Sequence, residues 1–375
     1  MKLVPLAAAL VVAAMSVAAC GSDSNSSGGG SAAQEAPPQT AKKVDAITTE
    51  AGTIGVILQS TAASGRWESQ DRPRLLNNLK AYAPKAKVIY SNGEGSASNQ
   101  LRQAEAAISA GAKVLLVAPV DGVAAGEIAR RADQADVDFI AYDAPVMNAP
   151  VDYYVSFDNN RVGGLMGEYV KANTNDGDSV IFISGAPQDD NAARFQQGAL
   201  DILDPHFKDG TRKLAYKTFT PNWDLNNAQR ETEQALSKLN DNVQAVVAAN
   251  ENLATGAINA LRASGLAGKV PVTGQDATAT GLGQIVSRTQ GMTVYKPIEG
   301  EADAAAKLAA YLLAGKQPEK GLINGKVNNG SVDVPSVLLK PISVTKDNID
   351  ETVVKDEFVT WDAICKGVQA QCPPK

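Results

Sequence analysis

The chain has 375 residues, 44% of them hydrophobic, which is enough for two domain-sized cores. Its formal net charge is −6 and no basic patch dominates, so a nucleic-acid partner is not expected. Aromatic residues make up 5% and Trp occurs three times, so the positions of the tryptophans carry information.

Residues 3–19 form an Ala/Val-rich apolar run after Lys2, too short for a membrane span and interrupted by Pro5. It reads as the apolar core of a signal peptide occupying 1–19. The run ends Val17-Ala18-Ala19-Cys20-Gly21, a pattern resembling a bacterial lipobox, in which Cys20 is acylated and becomes the mature N-terminus. Residues 21–41 are rich in Gly, Ser and Pro, so 20–51 reads as a flexible tether between a lipid-anchored Cys20 and a folded body. This places the protein outside the cytoplasm, held to the cell membrane by lipid.

From there, short β-branched runs predict strands at 53–58, 86–90, 113–118, 138–142, 179–184, 213–219, 245–249, 270–273 and 292–295. Apolar residues at helical spacing predict helices at 97–110, 123–135, 162–172, 226–239, 253–263 and 301–313. Strand–helix alternation with short connections argues for parallel sheets flanked by helices, and so many strands divide best between two lobes. In such sheets ligands bind beyond the C-terminal strand ends. Here those ends lead to Arg66-Trp67, Asp143, Asp189-Asp190-Asn191, Trp223, Asn250-Glu251, Asp276 and Lys296. Any one Asp or Asn could be a turn residue or helix cap. Their recurrence at nearly every strand end, with two scarce tryptophans among them, points to a shared site.

Catalytic signatures are missing: there is no G-x-S-x-G elbow, Walker A loop or H-E-x-x-H. His206, the single histidine, follows Pro205 in what reads as a polar surface turn, and 173–178 reads as a turn rather than a calcium loop. Carboxylates and amides without a nucleophile, relay, metal or cofactor suit recognition, so an enzyme is not expected. Cys365 and Cys372 remain near the C-terminus, without further metal ligands nearby. Outside the cytoplasm a disulfide is their expected fate, pinning a tail at 361–375.

From about residue 52 to 358 the chain resembles the periplasmic sugar-binding proteins of the ribose/xylose type. The matching stretches are Arg66-Trp67, Ala141-Tyr142-Asp143, Phe157-Asp158-Asn159, Asp189-Asp190-Asn191-Ala192, Gly274-Gln275-Asp276, Val294-Tyr295-Lys296-Pro297 and Asp333-Val334-Pro335-Ser336. The resemblance implies an α/β fold of two doubly wound parallel-sheet lobes joined by a three-segment hinge, the type I periplasmic binding protein architecture. Lobe 1 would comprise 52–160 with 296–337, and lobe 2 would comprise 161–295 with 338–360. It also implies capture of a xylose-like monosaccharide or related polyol between the lobes, and delivery by a monomer to ABC permease subunits. The ligand contacts it implies are Arg66, Asp143, Asp189, Asn191, Trp223, Asn250, Asp276 and Lys296, with Trp67 as a second wall. Two departures bear on the sugar. Ala144 stands where the family usually has Arg, which removes a strong donor, and the family's Asp-Asn-Asn turn is Asp189-Asp190-Asn191. A sensor that presents its closed form to a receptor is the alternative. A sugar-responsive repressor shares such a body but begins with a DNA-binding domain, whereas this chain begins with a signal and tether.

Overall fold

The computed structural model describes residues 44–373. The first half runs β1 (Gly52–Leu58), α1 (Arg72–Tyr82), β2 (Ala86–Asn92), α2 (Ala97–Ser109), β3 (Ala112–Val117), α3 (Ala125–Gln134), β4 (Asp138–Tyr142) and β5 (Tyr153–Phe157). It continues with α4 (Asn159–Ala172), β6 (Ser179–Ser184), α5 (Asp190–Lys208), β7 (Lys213–Phe219), α6 (Leu225–Leu239), β8 (Ala245–Ala248) and α7 (Glu251–Ala263). The last part is α8 (Ala279–Val286), β9 (Thr293–Tyr295), α9 (Ile298–Leu313), β10 (Gly325–Asn328), β11 (Asp333–Leu339), β12 (Ile342–Val344) and α10 (Trp361–Ile364).

Seven strands form one sheet in the order β10-β11-β5-β4-β3-β1-β2, parallel throughout except for the β10–β11 edge pair. β1 shows why this sheet needs two helical layers. Ile54, Val56 and Leu58 pack into a core with α1 and α9, while Ile57 points the other way into a core with α2 and α3. A second sheet has the order β7-β6-β8. Single bridges, Val246 to Val272 and Gln275 to Val294, carry it on to β9, which pairs antiparallel with β12. Every residue of β6 is buried, as expected of a central strand covered on both faces.

The fold class read from the sequence is the one present, with several local differences, and helices α1, α5, α8 and α10 were not anticipated. The strand expected at 270–273 is only the Val272 bridge, because Pro271 has no N–H to give a ladder. Four strands were not anticipated: β5, β10, β11 and β12. His206 lies not in a turn but in the last turn of α5, which the buried residues Phe195, Ala199 and Leu203 carry through Pro205. Its Nδ1 lies 3.3 Å from the Thr211 hydroxyl.

The chain passes between the two sheets after Phe157, returns after Tyr295 and crosses again after Leu339. These connections lie side by side, with the Asp158 N–H donating to the Leu339 carbonyl at 2.9 Å. Phe157, Tyr295, Ile298 and Val344 share one buried cluster there. At the C-terminus Cys365 and Cys372 are joined in a disulfide, with Cα atoms 6.0 Å apart. Among the described residues no helix is long and apolar enough to cross a membrane. The expected signal peptide, Cys20 and most of the expected tether lie outside the described residues.

Candidate functional site

The C-terminal ends of the strands in both sheets face one cleft, and the side chains that follow them line a single cavity. Arg66 and Trp67 come from the loop between β1 and α1, Asp143 follows β4, and Lys296 follows β9. Asp189 and Asn250 are the N-caps of α5 and α7. Asp189 Oδ1 accepts from the Asn191 N–H at 3.0 Å, and Asn250 Oδ1 accepts from the Leu253 N–H at 3.0 Å. Cap and cavity wall are therefore roles of the same two residues. Asp143 and Asp276 have φ of 61° and 96°, a region an L side chain rarely adopts. Such strain gathers where a surrounding network holds side chains in place for binding.

That network is dense. Arg66, 3% exposed, donates to Asp71 through Nε at 2.9 Å and Nη2 at 2.8 Å, and to Asp143 Oδ2 at 2.9 Å. Its other neighbours are Asp276 Oδ1 and Glu301 Oε2, each at 3.5 Å. Lys296 Nζ lies 3.2 Å from Asp143 Oδ2 and 3.5 Å from Asp276 Oδ1. Behind the wall, the Tyr142 hydroxyl donates to Asp71 at 2.8 Å and so fixes the carboxylate that holds Arg66. From the second sheet's side, Asn191 Nδ2 donates to the Asp143 carbonyl at 3.1 Å and to its Oδ1 at 3.2 Å. Asn159 Nδ2 in turn holds Asn191 Oδ1 at 2.7 Å.

Two cations share this space with four carboxyl groups, Asp71, Asp143, Asp276 and Glu301, and burial penalises every charge. The groups are driven apart. Burial pushes Asp143 up, but Arg66 and Lys296 outweigh it and hold its carboxyl below the usual value. Burial, then Asp143, pushes Glu301 well above the carboxylate range despite Arg66, and its Oε1 has no hydrogen-bond partner. Burial raises Asp71 as well, against the pull of Arg66. Asp189 is pushed up to about 7 by burial and by Asp143, even though the Asn191 N–H and the Trp223 indole favour its charged form.

The aromatic walls are Trp67, Phe195 and Trp223. The Arg66 guanidinium stacks 4.4 Å above the Trp67 ring. Trp223 donates its indole N–H to Asp189 Oδ2 at 3.2 Å and meets Phe195 edge-on. A Cβ at Gly185 would overlap the Trp223 ring, so only glycine lets the indole lie there. Two polar atoms of this lining are buried without a partner, the Trp67 indole N–H and Gln275 Oε1. The carboxylates, amides and cations of the lining match the donors and acceptors of a hydroxyl-bearing ligand. Ser64, the serine of the lining, gives its hydroxyl to Asp276 Oδ2 at 3.0 Å.

The model of the periplasmic binding protein domain matches residues 54–317. The chain is 40% identical to the D-xylose-binding periplasmic protein of Haemophilus influenzae over 299 residues, covering 80% of this chain and 88% of that one. The chain belongs to the periplasmic binding proteins. It is also 31% identical to the multiple sugar-binding periplasmic receptor of Rhizobium radiobacter, covering 85% of this chain and 94% of that one. Among solved structures, a carbohydrate transporter solute-binding protein from Chloroflexus aurantiacus in complex with D-glucose superposes with a TM-score of 0.77. It is 29% identical and covers 84% of this chain and 98% of that one.

In this family member every ligand residue expected from the sequence, Arg66, Trp67, Asp143, Asp189, Asn191, Trp223, Asn250, Asp276 and Lys296, lines the one cavity. Sequence reading did not single out Gln59, Ala63, Ser64, Phe195 or Gln275, which line it too. Gln275 stands inside a quoted match and Ser64 two residues before Arg66, so proximity to those positions was the available signal. Ala144 is buried and outside the lining, its N–H donating to the Tyr142 carbonyl at 2.7 Å. The cationic donors of the cavity are Arg66 and Lys296.

Proposed function

We propose that this periplasmic binding protein captures one monosaccharide or polyol of pentose or hexose size between two hinged lobes and delivers it to the permease subunits of an ABC importer. The observation that carries this reading is the cavity itself. Its carboxylates are held by Arg66 and Lys296, its amides can donate and accept, and its aromatic rings offer apolar faces. Sugars present that pattern in reverse, with hydroxyls that donate and accept and a C–H face that stacks on an aromatic ring. In this reading Asp143, Asn191, Asn250 and Asp276 form the polar cage, Trp67 and Trp223 are the walls, and Lys296 and Arg66 donate to ligand oxygens. The lobes are 52–160 with 296–337 and 161–295 with 338–360. Lipid on Cys20 holds the monomer at the membrane through its tether.

Ala144 bears on which sugar is preferred. A ligand that needs a donor at that place would leave an oxygen unpaired in a closed cleft, so the preferred ligand presents a different group there. A thermal-shift screen of pentoses, hexoses and polyols, followed by calorimetry, tests both statements, because a ligand that binds only the folded state raises the melting temperature. At least one compound is expected to bind tightly and to rank above D-xylose. No binding across the panel would overturn the function, and D-xylose ranking first would overturn the specificity.

A further inference from the structure

A second cavity adjoins the first inside the same cleft. It is larger than the first and shares Gln59, Ala63 and Trp223 with it as common walls. It is built by both halves of the molecule. Ser60 and Val120 come from loops after β1 and β3, and Gln188 and Asn222 from loops after β6 and β7. The rim is tied across the cleft, with the Gly122 N–H donating to the Gln188 carbonyl at 3.4 Å.

Its chemistry is specific in two respects. The lining offers the amides of Gln59, Gln188 and Asn222 and the Ser60 hydroxyl, groups that can donate and accept, together with an indole surface. Two carboxylates, Glu94 and Asp224, line it, and no Lys or Arg does, so an anionic ligand such as a phosphorylated or carboxylated sugar would meet repulsion without compensation. The partition between the two spaces is also built. Asn222 and Trp223 are consecutive non-glycine residues with φ of 59° and 55°. A left-handed pair of this kind persists only where its surroundings over-determine it, and the hydrogen bond to Asp189 and the seat on Gly185 supply that constraint. The strained turn therefore places one indole where it bounds both cavities.

We propose that the second cavity is a subsite for a neutral, hydroxyl-bearing substituent carried by the sugar in the first, the second residue of a disaccharide or the aglycone of a glycoside. The cleft thus admits ligands larger than a monosaccharide. This rests on the monosaccharide reading of the first cavity. Val120 and Gln188 line the second space and not the first. The test is calorimetry of the protein with D-xylose and xylobiose and with D-glucose and cellobiose, on the unaltered chain, Val120→Trp and Gln188→Ala. In at least one pair the disaccharide is expected to bind within tenfold of its monosaccharide. Val120→Trp, which fills the second space, should weaken that disaccharide at least tenfold and leave the monosaccharide within twofold. Gln188→Ala, the milder change, should weaken it about threefold with the same selectivity, and decides the matter if the Trp variant does not fold. Monosaccharides that bind while both disaccharides are more than tenfold weaker would overturn the second subsite and leave the first reading standing. So would variants that leave disaccharide affinity unchanged or weaken both ligands of a pair equally. Absence of binding by all four sugars would overturn the second subsite, and the reading of the first cavity would stand or fall with the wider panel of pentoses, hexoses and polyols.

Discussion

Asn252 offers a way to weaken ligand binding without touching the ligand. It sits at the start of α7, outside the cavity lining, and its side-chain amide reaches across the cleft. Nδ2 donates to the carbonyls of Ala62 at 3.0 Å and Ala63 at 3.1 Å, which belong to the loop after β1. An opened cleft breaks both bonds and gives their groups to water, so they favour only the closed form. A neutral hydrogen bond contributes about 1 kcal/mol net, which sets the upper limit near 2 kcal/mol. Asn250 Nδ2 also donates to the Ala63 carbonyl, at 3.3 Å, so that acceptor keeps a partner after truncation and the expected loss is nearer 1 kcal/mol. At about 1.4 kcal/mol per tenfold, Asn252→Ala should weaken binding roughly fivefold. The loss should fall on the dissociation rate, because a ligand leaves by opening the cleft, and the association rate should change little. Ala has higher helix propensity than Asn by a few tenths of a kcal/mol, so the unliganded melting temperature should hold or rise slightly. Stopped-flow tryptophan fluorescence gives both rates, and thermal unfolding gives the control. An unchanged dissociation rate, or a fall in stability large enough to account for the lost affinity, would refute the role of these bonds in closure.

Asp276→Ala removes the acceptor of Ser64 and one neighbour of Lys296, and a lost charged hydrogen bond costs about 1.5–3 kcal/mol. Sugar affinity should fall roughly ten- to a hundredfold in calorimetry, and a change below about twofold would place Asp276 outside the contact set. Trp223→Ala should weaken sugar binding and also lower stability by about 3–5 kcal/mol, because the ring is part of the second sheet's core; normal affinity in the folded fraction would make it a core residue only. Glu251 is pushed up to about 7 by burial despite its bonds to Thr278 and Thr293. The native state then binds this proton more tightly than the unfolded chain does, so stability falls as pH rises from about 4.5 through about 7, by on the order of 3 kcal/mol. Glu251→Gln should flatten that part of the melting-temperature profile between pH 5 and 8, and an identical profile would exclude Glu251 as the titrating group. Cys20→Ala should release the protein from membranes with sugar affinity unchanged, and continued retention would argue against lipid on Cys20.

The alternation of buried strands and amphipathic helices is written locally, because a strand covered on both faces must be continuously apolar and its covering helix must be striped. That is why β1, β3, β4, β6 and β8 were found within a residue or two. Most of the site was also legible. Open α/β sheets bind ligands beyond the C-terminal strand ends, so polar or aromatic residues at nearly every such end mark the cleft without any knowledge of packing. The edge strands β10 and β12 were not legible, since they are short and only partly buried, and what defines them is a partner strand. Nor could local pattern assign Ser64 and Gln275, small or amide residues whose role comes from distant neighbours. The bond from Ser64 to Asp276 spans 212 positions, and that from Lys296 to Asp143 spans 153. The opposed shifts of Asp143 and Glu301 and the second cavity beside Trp223 have the same origin. Both depend on distances of a few ångströms between groups that folding alone brings together, and neither distance has any signature along the chain.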